Sequence, residues 1–227
     1  MKKLLICFII KKIFLLFNVL FYTVYVNGQI TVVGGTRIWT EEEKIPIPLT
    51  KVTYLNKDDT TKVEFVTVSD FEGKYYLGKI PENLYRTFVS TPDSQIQRGY
   101  ANVKQNQGNY WQIHFYFENK NENLNKNYIP KGTAFFIDDN IRKKSKTVND
   151  LLLNVTGLEI NNINSIILID GRYADKRKIQ KISVKNVENF DLYKLPVMDN
   201  DPNPYTTVIN INTNKGRVKL SPYFEKE

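Results

Sequence analysis

The sequence has almost none of the residues on which most metal and nucleophile chemistry depends. It contains one cysteine, Cys7, and one histidine, His114. A lone histidine and a lone thiol cannot build a thiolate or histidine metal site or a serine–histidine relay. Cys7 also lies in an apolar leader, so no thiol is left for a disulfide framework. We therefore expect no metal site, no cofactor and no catalytic residue of these kinds.

Long apolar runs are confined to the start of the chain. Residues 4–10 and 13–26 are largely apolar, and each run follows a pair of lysines. This layout is typical of a secretory signal, whereas a membrane-spanning helix needs about 20 apolar residues. We predict a signal peptide over residues 1–28, with cleavage after Gly28. The mature chain is expected to be exported and to have no membrane span.

After residue 28, charges of one sign are likewise not concentrated in one part of the sequence. Residues 1–28 hold four lysines and no acidic residue, so their removal lowers the net charge from +8 to +4. The remaining charges of both signs are interspersed, unlike the basic stripe of a nucleic-acid-binding protein. We expect no nucleic-acid partner. The densest basic group is interpreted either as a solvated loop or as a contact for anionic lipid or lipopolysaccharide phosphates; it comprises Arg142, Lys143, Lys144 and Lys146.

The rest of the chain has the pattern of a mainly β protein. Short β-branched and aromatic runs are broken by turn residues every 8 to 12 residues or so, which is typical of all-β modules. In the first half we predict strands at 30–33, 45–49, 51–55, 63–68, 75–80, 87–91 and 111–117, a turn at Gly34-Gly35 and a polar connector over 95–108. In the second half we predict strands at 135–137, 166–169, 179–184, 187–193 and 206–211, and a helix at 148–154 between Thr147 and Gly157.

One local motif stands in the first half. Residues 67–77 read Thr-Val-Ser-Asp-Phe-Glu-Gly-Lys-Tyr-Tyr-Leu. Asp70 can bond the backbone two residues on, Gly73 can take a positive φ, and Tyr75 then faces the core. With the early Gly-Gly and the Ile-Pro-Leu-Thr-Lys-Val phrase at 47–52, this segment resembles the carboxypeptidase-regulatory-like β-sandwich modules.

Three further phrases follow in the second half. Residues 147–160 combine a capped helix with a glycine exit, residues 166–172 read Ile-Ile-Leu-Ile-Asp-Gly-Arg, and residues 207–216 read Thr-Val-Ile-Asn-Ile-Asn-Thr-Asn-Lys-Gly. In order and spacing they resemble the plug domain of TonB-dependent outer-membrane receptors of the Bacteroidetes type. The motif positions, to which the resemblance gives a structural role, are Asp70, Gly73, Tyr75, Gly157, Asp170, Gly171, Arg172 and Gly216.

The two resemblances imply a domain order and a fold class. The order is a signal peptide (1–28), a β-sandwich (29–95), an unassigned connector with strands (96–145) and a plug-like α+β domain (146–220). The fold class is mainly β with a smaller α+β part, and its sandwich is of the transthyretin or carboxypeptidase-regulatory-like type.

The resemblances also imply a function. The chain is expected to be a non-catalytic envelope protein, in the periplasm or outer membrane of a Gram-negative bacterium, that binds or interacts in nutrient uptake. The implied partner is an outer-membrane barrel or a TonB-type protein, since no barrel segment is recognised here. A truncated, non-functional receptor fragment is an alternative.

A secreted hydrolase is the hypothesis from another class. It would need clustered carboxylates, and the available ones are Asp138, Asp139 and Asp170. Alternation places His114 on a solvent-facing side of its strand. The spacing of Asp199, Asp201 and Asn203 is like that of a calcium loop but lacks the required glycine and glutamate, so a polar turn is predicted. The aromatic residues Tyr110, Trp111, Tyr116 and Tyr128 are predicted to contribute to a core, with some free to form a carbohydrate or protein docking surface.

Overall fold

Strands far outnumber helices in the part of the chain that the structure describes, which confirms the predicted mainly β class. The structure is a computed structural model. It describes residues 29–39, 44–104, 110–118, 132–160, 165–174, 176–202 and 207–214. The predicted signal peptide, Tyr128, Asn203 and Gly216 lie outside these residues.

The strands form three sheets. The first contains β2 (Lys44–Pro46), β1 (Gln29–Trp39), β5 (Lys74–Pro81) and β8 (Tyr110–Glu118), with β8 parallel to β1. The second is antiparallel, in the order β4 (Val63–Val68), β3 (Lys51–Leu55), β6 (Asn83–Ser90) and β7 (Ile96–Val103). The third has the order β11 (Arg172–Tyr173), β10 (Ser165–Ile169), β13 (Thr207–Thr213), β12 (Val187–Lys194) and β9 (Thr133–Phe136).

The first two sheets share one apolar core. Alternate residues of each strand point into it, as the period of two of a strand requires. Val32 from the first sheet and Val52, Tyr54 and Val89 from the second sheet are all fully buried there. Strands β7 and β8, from the segment that the sequence leaves unassigned, pair with β6 and β1 and add to the same core.

The third sheet is buried on both faces at its centre. Leu168 and Val208 on one face belong to the core of the first two sheets, whereas Ile167, Ile209 and Ile211 on the other face pack against helices. This explains the continuous apolar run at 166–169, because a strand covered on both sides needs no polar face.

Three short helices cover this second face: α1 (Asp139–Lys144), α2 (Val148–Thr156) and α3 (Lys176–Gln180). The predicted start of α2 is confirmed, because the Thr147 hydroxyl accepts from Asp150 N–H while the Asp150 carboxylate accepts from Thr147 N–H. The predicted end is confirmed as well, with Gly157 in the left-handed conformation.

Three local predictions were wrong. Gly34-Gly35 is no turn, since β1 runs through both glycines; a Cβ on Gly34 would lie 1.7 Å from the Ile113 carbonyl oxygen, so glycine permits the close approach of β8. Most of the predicted connector over 95–108 is strand β7, in which six of the eight residues are exposed. Residues 179–184 are not a strand but the end of α3 and a 3₁₀ turn, which places Ile179 and Ile182 in the helical core.

Candidate interaction site

The first motif turn connects β4 to β5. The Asp70 carboxylate accepts from the backbone N–H groups of Glu72 and Lys74, each at 2.9 Å, and Gly73 has φ +70°. Tyr75 is buried, so the predicted conformation of the turn is confirmed. The predicted hairpin is wrong, because β4 and β5 belong to different sheets and do not pair with each other. Burial raises the pKa of Asp70, and the two backbone N–H groups only partly oppose that rise.

The second motif turn connects β10 to β11. Asp170 and Gly171 have φ values of +50° and +78°, which is the backbone of a two-residue hairpin with both central residues left-handed. The Asp170 carboxylate accepts from Thr213 N–H and from the Thr213 hydroxyl, both at 2.7 Å. The turn predicted at Asp170-Gly171 is therefore present, and its carboxylate anchors the end of β13.

These two turns, 100 residues apart in the chain, are in direct contact. Phe71 N–H donates to the Gly171 carbonyl oxygen at 2.8 Å, and the Arg172 guanidinium pairs with the Glu72 carboxylate at 2.8 Å. The Phe71 ring stands edge-on to Tyr193, with 5.8 Å between ring centroids. We call this contact the turn junction. It joins the third sheet to the first two.

A row of amide and carboxylate side chains continues from the turn junction along β13. Gly171 N–H donates to Asn210 Oδ1 at 2.8 Å, Asn210 Nδ2 donates to Asn212 Oδ1 at 2.8 Å, and Asn212 Nδ2 donates to Asp191 Oδ2 at 2.6 Å. Asn210 and Asn212 are buried, and buried amides are stable only when hydrogen-bonded. This row ties the register of β12 and β13 to the position of the second motif turn.

The remaining motif positions lie elsewhere. Tyr75 donates its hydroxyl proton to the Ile113 carbonyl oxygen at 2.7 Å, which braces β5 against β8. Gly157 ends α2, and a Cβ added at this residue would meet no other heavy atom within 4 Å. Five of the eight positions thus belong to the turn junction, and Gly216 lies outside the described residues.

An aromatic face lies on the outer side of the first sheet. The rings of Trp39 and Tyr116 meet edge-to-face with centroids 5.4 Å apart, and Lys44 Nζ lies 4.7 Å and 5.3 Å from their centroids. Trp39 is 56% exposed, and Tyr110, on the same strand as Tyr116, is 71% exposed. Exposed aromatic residues and cations of this kind are typical of binding surfaces, because a ring buries a large area and loses little side-chain conformational entropy on binding. We call Trp39, Lys44, His114 and Tyr116 the aromatic face.

His114 is exposed, as predicted, and stands beside Tyr116 with 6.2 Å between ring centroids. Desolvation lowers the pKa of His114, and the charges of Arg37 and Lys44 lower it further. Since the folded pKa is below the unfolded one, the unfolded chain binds more protons between the two values. The His114 contribution to the free energy of unfolding therefore falls as the pH falls through this interval. The change is small, because solvent screens the charges around this exposed side chain.

We expect NMR titration of the untagged chain to give a His114 pKa below about 6.5, and the Lys44→Gln substitution to raise it. The signal is unambiguous because the chain contains one histidine. Lys62→Gln is the control, since Lys62 pairs with Glu64 and does not act on His114. A His114 pKa at or above the ordinary value, or an equal response to both substitutions, would contradict the arrangement.

Two of the three carboxylates considered for hydrolysis have structural contacts, and Asp139 lies in the first turn of α1. Asp138 caps α1 by accepting from Asn140 N–H, and Asp170 is held by Thr213 as described. Within the described residues, no group of three or more histidine, cysteine or acidic side chains could hold a metal ion.

The basic cluster and the predicted polar turn also differ from simple solvated loops. Arg142 donates to the carbonyl oxygens of Val184 and Val187, each at 2.7 Å, so it fixes α1 to the start of β12. Asp201 forms an ion pair with Lys51, and the two side chains are 0% and 1% exposed. This pair could not be predicted from sequence patterns, because its members are 150 residues apart.

Comparisons with known proteins give no family for this chain. A scan against protein-family models finds no match, and neither does a search of curated proteins. No helix among the described residues combines the length and apolar character needed to cross a bilayer.

Proposed function

We propose that this chain is a non-catalytic interaction protein of the Gram-negative envelope. In this proposal a carboxypeptidase-regulatory-like sandwich, made by the first two sheets, precedes a plug-like α+β domain, made by the third sheet and its helices. The chain is exported to the periplasm or outer membrane and takes part in nutrient uptake. Its partner is an outer-membrane barrel or a TonB-type protein.

The aromatic face is the observation that carries this proposal. Trp39 and Tyr116 are exposed although each has a large apolar ring, and Lys44 lies over both. Exposed aromatic residues beside a cation are the side chains that most often dominate binding energy when a partner covers them. The turn junction supports the domain assignment, because it joins the segments that carry the two family resemblances.

The test is capture of partners from envelopes solubilised in detergent, using the full chain with a C-terminal tag. We expect an outer-membrane barrel or a TonB-type protein to co-purify with the chain. The Trp39→Ala/Tyr116→Ala variant is expected to capture at least about 10-fold less of this partner, because central aromatic residues contribute much of the binding energy of an interface. Intact-mass analysis of the recovered chain should show that residues 1–28 have been removed.

Phe136→Ser is the matched control. Phe136 is 79% exposed but lies on β9 in the third sheet, outside the aromatic face. The control should retain capture. Recovery of the chain alone from the soluble periplasm would contradict the uptake role, and equal loss in both variants would contradict the aromatic face as the contact.

A further inference from the structure

A cleft of about 420 Å³ lies on the outer face of the second sheet. Its floor is formed by β6 and β7, and Asn200 and Pro202, from the segment after β12, also line it. Small-molecule sites commonly have volumes of about 300–1,000 Å³. The cleft is separate from the turn junction and from the aromatic face.

Four side chains on the cleft floor form a checkerboard of cations and rings. In the register of β6 and β7, Arg86 stands opposite Tyr100 and Phe88 stands opposite Arg98. The Arg86 guanidinium lies over the Tyr100 ring at 5.7 Å, and the Arg98 guanidinium lies over the Phe88 ring at 5.1 Å. The two arginines are thus diagonal neighbours, with side chains roughly 7 Å apart at their bases.

The rings of Tyr100 and Phe88 support the two guanidiniums on the side that faces the sheet. Phe88 is 3% exposed and is fixed in a small apolar cluster with Leu55 and Met198. Tyr100 is 64% exposed, so one side of its ring remains open to the cleft. A guanidinium stacked on a ring keeps its N–H edge free to donate hydrogen bonds outward.

Neither guanidinium makes an ion pair with any carboxylate in the described parts of the chain, in contrast to Arg172 at the turn junction. Two neighbouring like charges on a sheet repel each other. An oxyanion between them removes that repulsion and can accept a forked pair of hydrogen bonds from each guanidinium. The polar groups of Thr60 and Asn200 lie at the same cleft and can bond the hydroxyl groups of a ligand.

We propose that this cleft binds a small ring-bearing oxyanion. The anionic group, a phosphate, sulfate or carboxylate, is held between Arg86 and Arg98, and the ring of the ligand stacks on the open side of Tyr100. Sugar phosphates and sugar acids have this chemistry. This binding does not depend on the proposed interaction with an envelope partner.

The first experiment is calorimetric titration of the full mature chain with four probes: glucose 6-phosphate, glucuronate, inorganic phosphate and glucose. We expect the two ring-bearing anions to bind, and whichever binds more tightly identifies the preferred anionic group. Inorganic phosphate should bind at least about 10-fold more weakly because it lacks the stacking ring, and glucose should not bind because it lacks the charge.

The second experiment uses three variants. Arg86→Lys and Arg98→Lys keep the charge but lose the forked donor geometry. Each substitution should therefore weaken the binding of glucose 6-phosphate or glucuronate by about 10-fold. Tyr100→Ala should weaken the binding of these two probes by a larger factor than the binding of inorganic phosphate, because it removes the stacking surface for the ligand ring as well as the ring that supports Arg86. Arg37→Lys, on the first sheet, is the matched control and should bind like the unmodified chain.

Amide NMR shifts locate the binding directly. On addition of the tighter probe, the largest shifts are expected at residues 86–88 and 98–100. Because all three cleft substitutions are at exposed side chains, unchanged denaturant midpoints will show that the variants fold. Absence of saturable binding up to about 10 mM, shifts centred elsewhere, or unchanged affinity in both lysine variants would overturn the proposal.

Discussion

Replacing Asp201 by Asn is expected to lower the free energy of unfolding by about 3–5 kcal/mol, because it leaves the buried ammonium of Lys51 without its carboxylate. Both side chains are essentially excluded from solvent. Asp201 belongs to the segment that crosses the second sheet after β12, beside Met198, which packs on Leu55 and Phe88. The variant therefore loses the polar anchor of a segment whose apolar anchor remains.

Removing both charges tests whether the loss comes from a buried ammonium that no longer contacts the Asp201 carboxylate. The Lys51→Met/Asp201→Leu variant should recover most of the stability that Asp201→Asn loses, since an apolar pair of similar volume often replaces a buried ion pair with little penalty. Urea unfolding at neutral pH measures all three chains. Lys62→Gln, which breaks the exposed pair with Glu64, is the control and should leave the midpoint unchanged.

The pH dependence of the stability of Asp201→Asn is an independent test of the pair, because its direction can be predicted. Burial lowers the pKa of Lys51, and the hydrogen bond and charge of Asp201 raise it part of the way back. Without the carboxylate the folded pKa falls further below the unfolded value. Between these two values the unfolded chain binds more protons, so the stability of Asp201→Asn should rise as the pH rises through that interval. A loss no larger than that of the Lys62→Gln control, or a double variant no more stable than Asp201→Asn, would contradict the role of the pair.

The sequence predicted best what depends on neighbouring residues. The turn at Asp70 and Gly73 closes through hydrogen bonds over two to four positions, and the cap at Thr147 and Asp150 spans three, so both could be recognised from spacing alone. The buried run at 166–169 was likewise recognisable as a central strand.

Features that depend on distant residues could not be predicted in this way. The polar residues of 95–108 predict a connector where strand β7 lies. The strand is hard to recognise there, since only Ala101 and Val103 of its eight residues are buried. The cleft depends on that strand, since Arg98 and Tyr100 are contributed by it. In the same way, the contact between Phe71 and Gly171 joins two local motifs that the sequence identified separately, and nothing in either motif specifies the other.

The turn junction predicts a large difference between two glycine substitutions. Gly171→Ala and Gly157→Ala both place a Cβ at a positive φ, +78° and +73°, which costs about 1–2 kcal/mol. At Gly171 the added Cβ would also lie 2.4 Å from a ring carbon of Phe71, whereas at Gly157 it meets nothing within 4 Å. We expect Gly171→Ala to lose about 1–3 kcal/mol more than Gly157→Ala, because the ring must move from its buried position.

The extra loss should depend on the Phe71 ring. Phe71 is 6% exposed, and its removal is itself destabilising, but the Phe71→Ala background lacks the two ring carbons that would lie 2.4 Å and 2.9 Å from the added Cβ. The double variant Phe71→Ala/Gly171→Ala should therefore be more stable than the sum of the singles predicts, by about 1 kcal/mol or more, whereas Phe71→Ala/Gly157→Ala should be additive. Urea unfolding of the six chains measures both couplings. Additivity at both glycines would mean that Gly171 is required only for its backbone conformation, and that the two motif turns do not depend on this close approach.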